Sequence, residues 1–337
     1  MVKGHGDDIY DFGTAVRLNF SSNIVSGVDH SGLMRAISSA QSVVANYPEA
    51  APCSLERRIA DRLGISPDEV MVTAGATDAI YLVARSDIRG RSVILGPTFS
   101  EYADACVMHG HSVTRIKDLS DIDLVGKKVW LCNPNNPTGT VIDHEELLDV
   151  AQLEFLTTFI IDEAYADYTQ KPLMTAGEAV ECGNVLLLRS LTKRFSVPGL
   201  RIGYIVAGSR RIEHLREYRM PWVVSGPALA GAHYLLDHEE DYVIDSRALH
   251  CEALRVAEEL RGLGIEVSPT DCNFMLCRLP DGMSASELKL WLVKEHGMLI
   301  RDASNFTGLT TAHFRIAVQG EDADNQLIKA IREWMSL

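Results

Sequence analysis

The sequence contains no apolar run of the roughly 18 residues needed to span a bilayer. Its opening stretch MVKGHGDDIYDFG carries no apolar core of the kind found in signal peptides. A soluble, cytoplasmic protein is therefore expected. A basic block is missing too: 46 acidic residues stand against 32 lysines and arginines, for a net charge of −14. Such a surface repels a polyphosphate such as DNA, whereas a local arginine pocket inside an acidic envelope still admits small anions. The seven cysteines are odd in number and include no CxxC pair, which excludes a recognisable zinc or disulfide framework and fits reduced structural thiols. There is no internal repeat and no low-complexity segment.

What is present is an ordinary globular composition, 46% hydrophobic and 23% charged over 337 residues. At about 150 residues per domain, two domains are expected. Residues 1–40 are glycine-punctuated, an arm leading to a short helix near 31–42. Pro48 disfavours helix at Tyr47, and LERRIADRL at 55–63 reads as an amphipathic helix closed by Gly64. An α/β rhythm follows, with strands expected at 70–73, 92–95, 128–131, 155–161, 184–188 and 201–206 and helices at 78–85 and after 96–102. The run FLTTFII at 155–161 has no charged residue, as suits a strand buried in a parallel sheet. Helices at 227–237 and 242–263 come next, the latter long enough to bridge two domains. Strand 273–277, helix 285–296, strands 298–301 and 313–318 and helix 323–335 then form a compact α+β unit. The expected division is an arm and part of the small unit at 1–45, a large α/β domain at 46–235 and a small α+β domain at 236–337.

Residues able to do chemistry sit at the ends of these strands. Residues 190–204, SLTKRFSVPGLRIGY, follow the apolar run NVLLL and offer a hydroxyl at Ser190, an amine at Lys193 and a guanidinium at Arg201. Most lysines in loops are solvated; one placed just past a buried strand loses its proton cheaply, and a neutral amine forms Schiff bases with aldehydes. Strand 70–73 runs into Ala74-Gly75-Ala76-Thr77, a turn whose backbone N–H groups suit a phosphate or serve as a plain connection. NPNNPTG at 133–139 cannot continue helix or sheet, which leaves its side-chain amides to point elsewhere. Asp162 ends the run FLTTFII, where ligands bind in open α/β sheets. A ligand suited to this set has a phosphate for Gly75–Thr77, Ser190 and Arg201, a flat ring for Phe99, a phenolic oxygen, a ring nitrogen kept protonated by Asp162, and an aldehyde for Lys193. Pyridoxal 5′-phosphate meets each requirement.

The strings NPNNPTG, DEAY and SLTK…PGLRIGY, in that order, resemble the fold type I, aspartate aminotransferase-like pyridoxal-phosphate enzymes, the class I and II aminotransferases. The likeness runs from about residue 47 to 315 and is greatest to histidinol-phosphate aminotransferases and threonine-phosphate decarboxylases. It implies the pyridoxal-phosphate-dependent transferase fold: a large domain with a mostly parallel seven-stranded sheet between helices, and a smaller α+β domain from the N-terminal arm and the C-terminal third. It implies a catalytic set of Lys193 as the Schiff-base lysine, Asp162 as partner of the ring nitrogen, and Tyr165, which with Asn136 hydrogen-bonds the ring hydroxyl. Phe99 would stack on the ring, and Ala76, Thr77, Ser190 and Arg201 would hold the phosphate. Tyr47 resembles the tyrosine that reaches the phosphate from the other subunit of a homodimer. No metal is implied.

Arg315 lies mid-strand in HFRIAV, and an arginine among apolar residues is rarely buried without an anionic partner. An internal ion pair is one such partner; the resemblance implies another, the substrate α-carboxylate held by a bidentate fork, with Asn136 beside it. Arg301 matches a position that helps bind a distal substrate phosphate, although Asp302 stands ready to neutralise it.

Transamination and α-decarboxylation use the same parts, and no residue type here decides between them. His5-Gly6 and the FSSN string at 20–23 resemble the decarboxylase branch without the NPLG that usually follows. Trp222 also resembles the decarboxylases, whereas Ser225-Gly226-Pro227 resembles the aminotransferases. The favoured expectation is an aminotransferase with a small-molecule amino donor and a 2-oxo acid acceptor, because aminotransferases are the larger group. A threonine-phosphate decarboxylase-like enzyme is the alternative. A non-catalytic module that senses pyridoxal phosphate is the third, disfavoured by the missing basic DNA-binding segment.

Overall fold

The computed structural model describes residues 8–337, so His5 and Gly6 lie outside the described residues. Apart from the edge strand Ser112–Ile116, its main sheet is built from β-strands buried on both faces. With β1 (Leu18–Asn19) set aside, the strands of this sheet are β2 (Val70–Thr73), β3 (Arg91–Leu95), β4 (Ser112–Ile116), β5 (Lys128–Cys132), β6 (Thr158–Asp162), β7 (Val185–Ser190) and β8 (Gly203–Ala207). They lie in the order β2-β8-β7-β6-β5-β3-β4. Alternate residues feed two separate cores. Val72, Val129, Leu131, Phe159, Ile161 and Leu187 pack beneath the helices Cys53–Leu63, His144–Leu153, Ala176–Cys182 and Gly226–Asp237. Met71, Ile94, Trp130, Ile160 and Leu186 pack beneath Ala76–Arg85, Glu101–Met108 and Ser209–Tyr218. Burial on both faces explains the near-continuous hydrophobic runs.

The sheet is parallel except for β8, which runs antiparallel to both β2 and β7. β2 therefore points the same way as β5, β6 and β7. The C-terminal ends of those four strands share an edge with the N-terminal start of β8, so residues near 75, 133, 162, 190 and 201 meet despite their separation in sequence.

The second unit is a four-stranded antiparallel sheet, ordered β12-β13-β10-β9, from β9 (Glu266–Val267), β10 (Phe274–Arg278), β12 (Arg301–Asp302) and β13 (His313–Ala317). Helices Ser246–Gly262, Ala285–Trp291 and Glu321–Trp334 pack on it around Phe20, Met275, Phe314 and Ile316. The arm joins this unit through β1, which pairs in parallel with β11 (Met298–Leu299). The single strand expected at 298–301 is thus two short ones, because the chain switches partners at buried Ile300, from β1 to β13.

Other elements also depart from the sequence reading. The strand expected from residue 155 starts at Thr158, since Phe155 and Leu156 are 70% and 61% exposed in the turn before it. The helix expected from residue 242 starts at Ser246, where Asp245 accepts the Ala248 N–H at 2.9 Å. Beyond Trp291, the helix expected to reach residue 296 becomes a single π turn, Leu292–His296, stopped by left-handed Gly297. No helix among the described residues is long and apolar enough to cross a membrane.

One buried charge ties the first large-domain helix to the sheet. Glu56, 2% exposed, accepts the Val72 N–H at 3.2 Å and pairs with Arg219 at 2.5 Å and Arg216 at 3.5 Å. Removing one partner strands the others without a counter-charge. Glu56→Ala is expected to cost about 3 kcal/mol of stability, read as a shifted midpoint in urea unfolding.

Candidate active site

A cavity of about 220 Å³ opens at the shared strand edge. At one end β2 hands over to Ala74-Gly75 and the helix Ala76–Arg85. The first N–H groups of a helix have no intrahelical acceptors, and Ala76 and Thr77, which carry two of them, line the cavity. Gly75 has φ +90°, and a Cβ there would lie 2.6 Å from Arg201 Nη2. The missing side chain is what lets the guanidinium lie over the turn. Arg201 is itself left-handed at φ 56°, rare for a residue with a Cβ, and its Nη1 donates to the Pro198 carbonyl at 3.2 Å. Ser190, the last residue of β7, lines the same end, as does Thr192, whose Oγ1 is buried with no hydrogen-bond partner. Backbone N–H groups, hydroxyls and a guanidinium around one concavity form a donor-rich set that fits a phosphate. The orphaned Thr192 hydroxyl points the same way, because a buried polar group left unmade is costly.

At the centre, Asp162 ends β6 at 4% exposure. The Tyr102 hydroxyl donates to its Oδ2 at 2.7 Å and the Ala164 N–H to its Oδ1 at 2.9 Å. Burial pushes the carboxyl above its ordinary range, while those two donors and the Lys193 charge oppose the rise. Lys193 sits in the short helix Leu191–Arg194 directly after β7, with Nζ 5.7 Å from the centre of the Tyr165 ring. Its backbone is held by the Tyr168 hydroxyl, which donates to the Lys193 carbonyl at 2.9 Å. Burial raises the Tyr165 phenol as well, so that it stays a donor. Phe99 forms one wall, edge-on to Tyr102 at 5.8 Å.

The NPNNPTG turn divides its three amides. Asn133 Oδ1 accepts the Ile142 N–H at 2.8 Å. Asn135 bridges the Pro97 carbonyl and the Thr138 and Thr98 hydroxyls. Only Asn136 is spent on the cavity, where its Oδ1 accepts from Arg315 Nη1.

Arg315 closes the other end at 4% exposure. Its Nη2 donates to the Ser21 carbonyl on the arm, and its guanidinium carbon lies 5.7 Å from the Phe274 ring. Its Nε is buried with no partner. Among the described residues no carboxylate pairs with it, which disposes of the internal ion pair. Burial pulls its guanidinium below the usual range. Arg301 stands directly opposite in the β12–β13 ladder, 5% exposed but off the cavity wall. It donates to Asn305 Oδ1 at 2.8 Å and covers Phe306 at 5.3 Å. Burial, and then the Arg315 charge, push it down to about 10.

Of the residues anticipated from sequence, Ala76, Thr77, Phe99, Asn136, Asp162, Tyr165, Ser190, Lys193, Arg201 and Arg315 line one cavity. Tyr47 does not join them within the chain; it is 85% exposed and leans on Trp222 at 5.2 Å. Sequence reasoning passed over Tyr102 and Cys132, both on the cavity wall. The available signals were that Tyr102 follows Phe99 by three residues, one helical turn on, and that Cys132 immediately precedes NPNNPTG.

The family described as aminotransferase class I and II matches residues 16–331, and the chain belongs to it. A Caldanaerobacter subterraneus protein assigned as a threonine-phosphate decarboxylase is 32% identical, over 97% of this chain and 93% of that protein. The crystal structure of L-threonine-O-3-phosphate decarboxylase from Porphyromonas gingivalis superposes with a TM-score of 0.92 at 32% identity, covering 95% of this chain and all of that one. The histidinol-phosphate aminotransferase of Clostridium acetobutylicum superposes with a TM-score of 0.83 at 28% identity, covering 95% and 99% of the two chains.

Gly75→Ala places a methyl group where the Arg201 guanidinium lies and strains a φ of +90°. Its affinity for pyridoxal phosphate is expected to fall about tenfold or more, measured by equilibrium titration of the apoprotein.

Proposed function

We propose that this member of the class I and II aminotransferases binds pyridoxal 5′-phosphate in the strand-edge cavity and transfers the amino group of a phosphorylated amino substrate to a 2-oxo acid. The observation that carries this reading is the convergence of Lys193, Asp162, Asn136 and Tyr165 beside a donor-rich cradle. When bound, the cofactor supplies an aldehyde carbon and a ring that withdraws electrons from the substrate Cα.

The chain's own residues do the rest. Ala76, Thr77, Ser190 and Arg201 would hold the phosphate, Phe99 would cover the ring face, and Asn136 and Tyr165 would take the ring hydroxyl. Asp162 would keep a proton on the ring nitrogen, and its burial would exclude the water that weakens that pairing. Lys193 would hold the aldehyde carbon and, as a neutral amine, would serve as the base that takes the substrate Cα proton.

Arg315 takes the substrate carboxylate as a fork, and Arg301 behind it adds charge for a distal phosphate. The pairing of two arginines directly across one ladder supports a substrate with two anionic groups, because like charges so placed repel and a further anion relieves this, Asp302 and Asp8 offsetting part of the Arg301 charge. That pairing, with the TM-score of 0.92 to the threonine-phosphate decarboxylase structure, favours a second reading in which the same site releases the carboxylate of a phosphorylated amino acid as CO₂. Exposed Tyr47 reaches the phosphate of the partner's site in a cytoplasmic homodimer, and the domain boundaries fall near residues 45 and 235.

Purified protein incubated with threonine phosphate or histidinol phosphate and 2-oxoglutarate is expected to form glutamate; CO₂ without glutamate establishes the second reading. Lys193→Ala is expected to lose turnover and the visible absorbance of bound cofactor together, and a fully active variant would sink the assignment. Arg315→Ala removes a charge-assisted hydrogen-bond pair and is expected to raise KM roughly 10- to 100-fold, with an unchanged KM removing Arg315 from the carboxylate role.

A further inference from the structure

Among the described residues, Tyr102 is the side chain with a hydrogen bond to Asp162 from the core side of the site. It is 1% exposed, and its ring is stacked on Trp130 at 6.1 Å and edge-on to Phe99 at 5.8 Å. Its hydroxyl reaches Asp162 Oδ2 at 2.7 Å, within the short range of a hydrogen bond to an ionised acceptor. An apolar phenylalanine would satisfy the packing against Trp130 and Phe99 equally well. The hydroxyl serves only the carboxylate and its neighbour Cys132, whose thiol donates to the Pro134 carbonyl at 3.1 Å.

We propose that Tyr102 is a positioning residue that keeps the Asp162 carboxylate charged and in the plane from which it meets the ring nitrogen. The inference rests on the cofactor reading above. With Oδ1 held by the Ala164 N–H and Oδ2 by Tyr102, the carboxylate cannot rotate without losing one donor. Two donors also lower its appetite for a proton, so the proton stays on the ring nitrogen and the ring keeps its positive charge. Without the Tyr102 donor, Asp162 is a buried carboxylate with one backbone donor. It then takes the proton, and both partners become neutral, as a low-dielectric site favours. Burial, and then the adjacent Asp162 charge, hold the Tyr102 phenol well above its ordinary range, so it remains a donor at all working pH values. The other titratable groups facing Asp162 are Lys193, Tyr165, Cys132 and Glu163. Across the β6–β7 ladder it meets only Leu188.

The test is a pH titration of the visible absorption band of the holoprotein, wild type against Tyr102→Phe, with cofactor affinity measured alongside. A ring that has lost its charge makes the nitrogen bonded to Lys193 more basic, so the midpoint of the band is expected to rise by about one pH unit. Affinity for pyridoxal phosphate is expected to weaken roughly 10-fold and kcat to fall about 10- to 100-fold with KM little changed. Replacing Tyr102 with a ring-fluorinated tyrosine, a stronger donor of the same shape, is expected to move the midpoint the other way. A Tyr102→Phe midpoint and affinity equal to the wild type would overturn this inference and leave the cofactor reading standing. A wild-type protein that takes up no pyridoxal phosphate would overturn both.

Discussion

The site depends on one constraint: a sheet covered by helices on both faces has nowhere to put polar chemistry except along the ends of its strands. Six of the seven strands spend most of their side chains on two apolar cores, the edge strand β4 being the exception, and any ionisable group within those cores would carry a desolvation cost without return. The strand ends escape this because loops and helix starts supply hydrogen-bond donors there. The antiparallel insertion of β8 matters for the same reason. It lets the residue before a strand, Arg201, stand beside the residues that follow β2 and β7. A β8 parallel to its neighbours would carry that cation to the opposite edge.

How much of this was legible in the sequence follows from the same constraint. Strands such as β2, β5 and β7 read clearly because two-sided burial removes charge from the run. β4 went unread because it is an edge strand whose residues are mostly exposed, with the pattern SVTRI. Helices His144–Leu153, Ala176–Cys182 and Ser209–Tyr218 went unread too, although Asp143 and Thr175 cap the first two in the expected manner. Lys193, Asp162 and Asn136 were legible as exceptions, since each ends or closely follows an apolar strand with a group that needs a reason to be there. Tyr102 was not. A tyrosine inside an apolar helix reads as core, and its partner lies 60 residues away across two strands. The split of the 298–301 run was equally hidden, because a change of partner at Ile300 leaves no mark on local pattern.

The acidic envelope and the cationic interior make a further contrast. A net charge of −14 resists association with polyanions over most of the surface, yet the cavity gathers Lys193, Arg201 and Arg315, with Arg301 behind them. Arg315 and Arg301 are buried, and burial strengthens their charges toward a small anion that enters, because little water competes there. The two ends of the cavity are dedicated differently. The Gly75 turn relies on backbone groups and on the guanidinium of a left-handed residue that lies over it. The Arg315 end relies on side chains and on the Ser21 carbonyl of an arm joined to the small unit by a two-residue ladder.

That asymmetry bears on reaction choice. On the proposed reading, which bond at Cα breaks depends on how the carboxylate is turned relative to the ring, and that turning would be set at the Arg315 end. Arg315 is fixed on one side by Asn136, which belongs to the large sheet, and on the other by Ser21, which belongs to the arm. Its angle to the ring therefore depends on how the arm and small unit seat against the large sheet. Most of the cofactor end belongs to the large sheet edge, while the Arg315 end draws on the arm and the small unit, with Asn136 shared by both. Motifs from the sheet edge consequently speak strongly about the cofactor and weakly about transamination against decarboxylation. The discriminating geometry is spread over Ser21, Asn136, Arg301 and Arg315, drawn from three distant stretches of chain and carrying no shared motif.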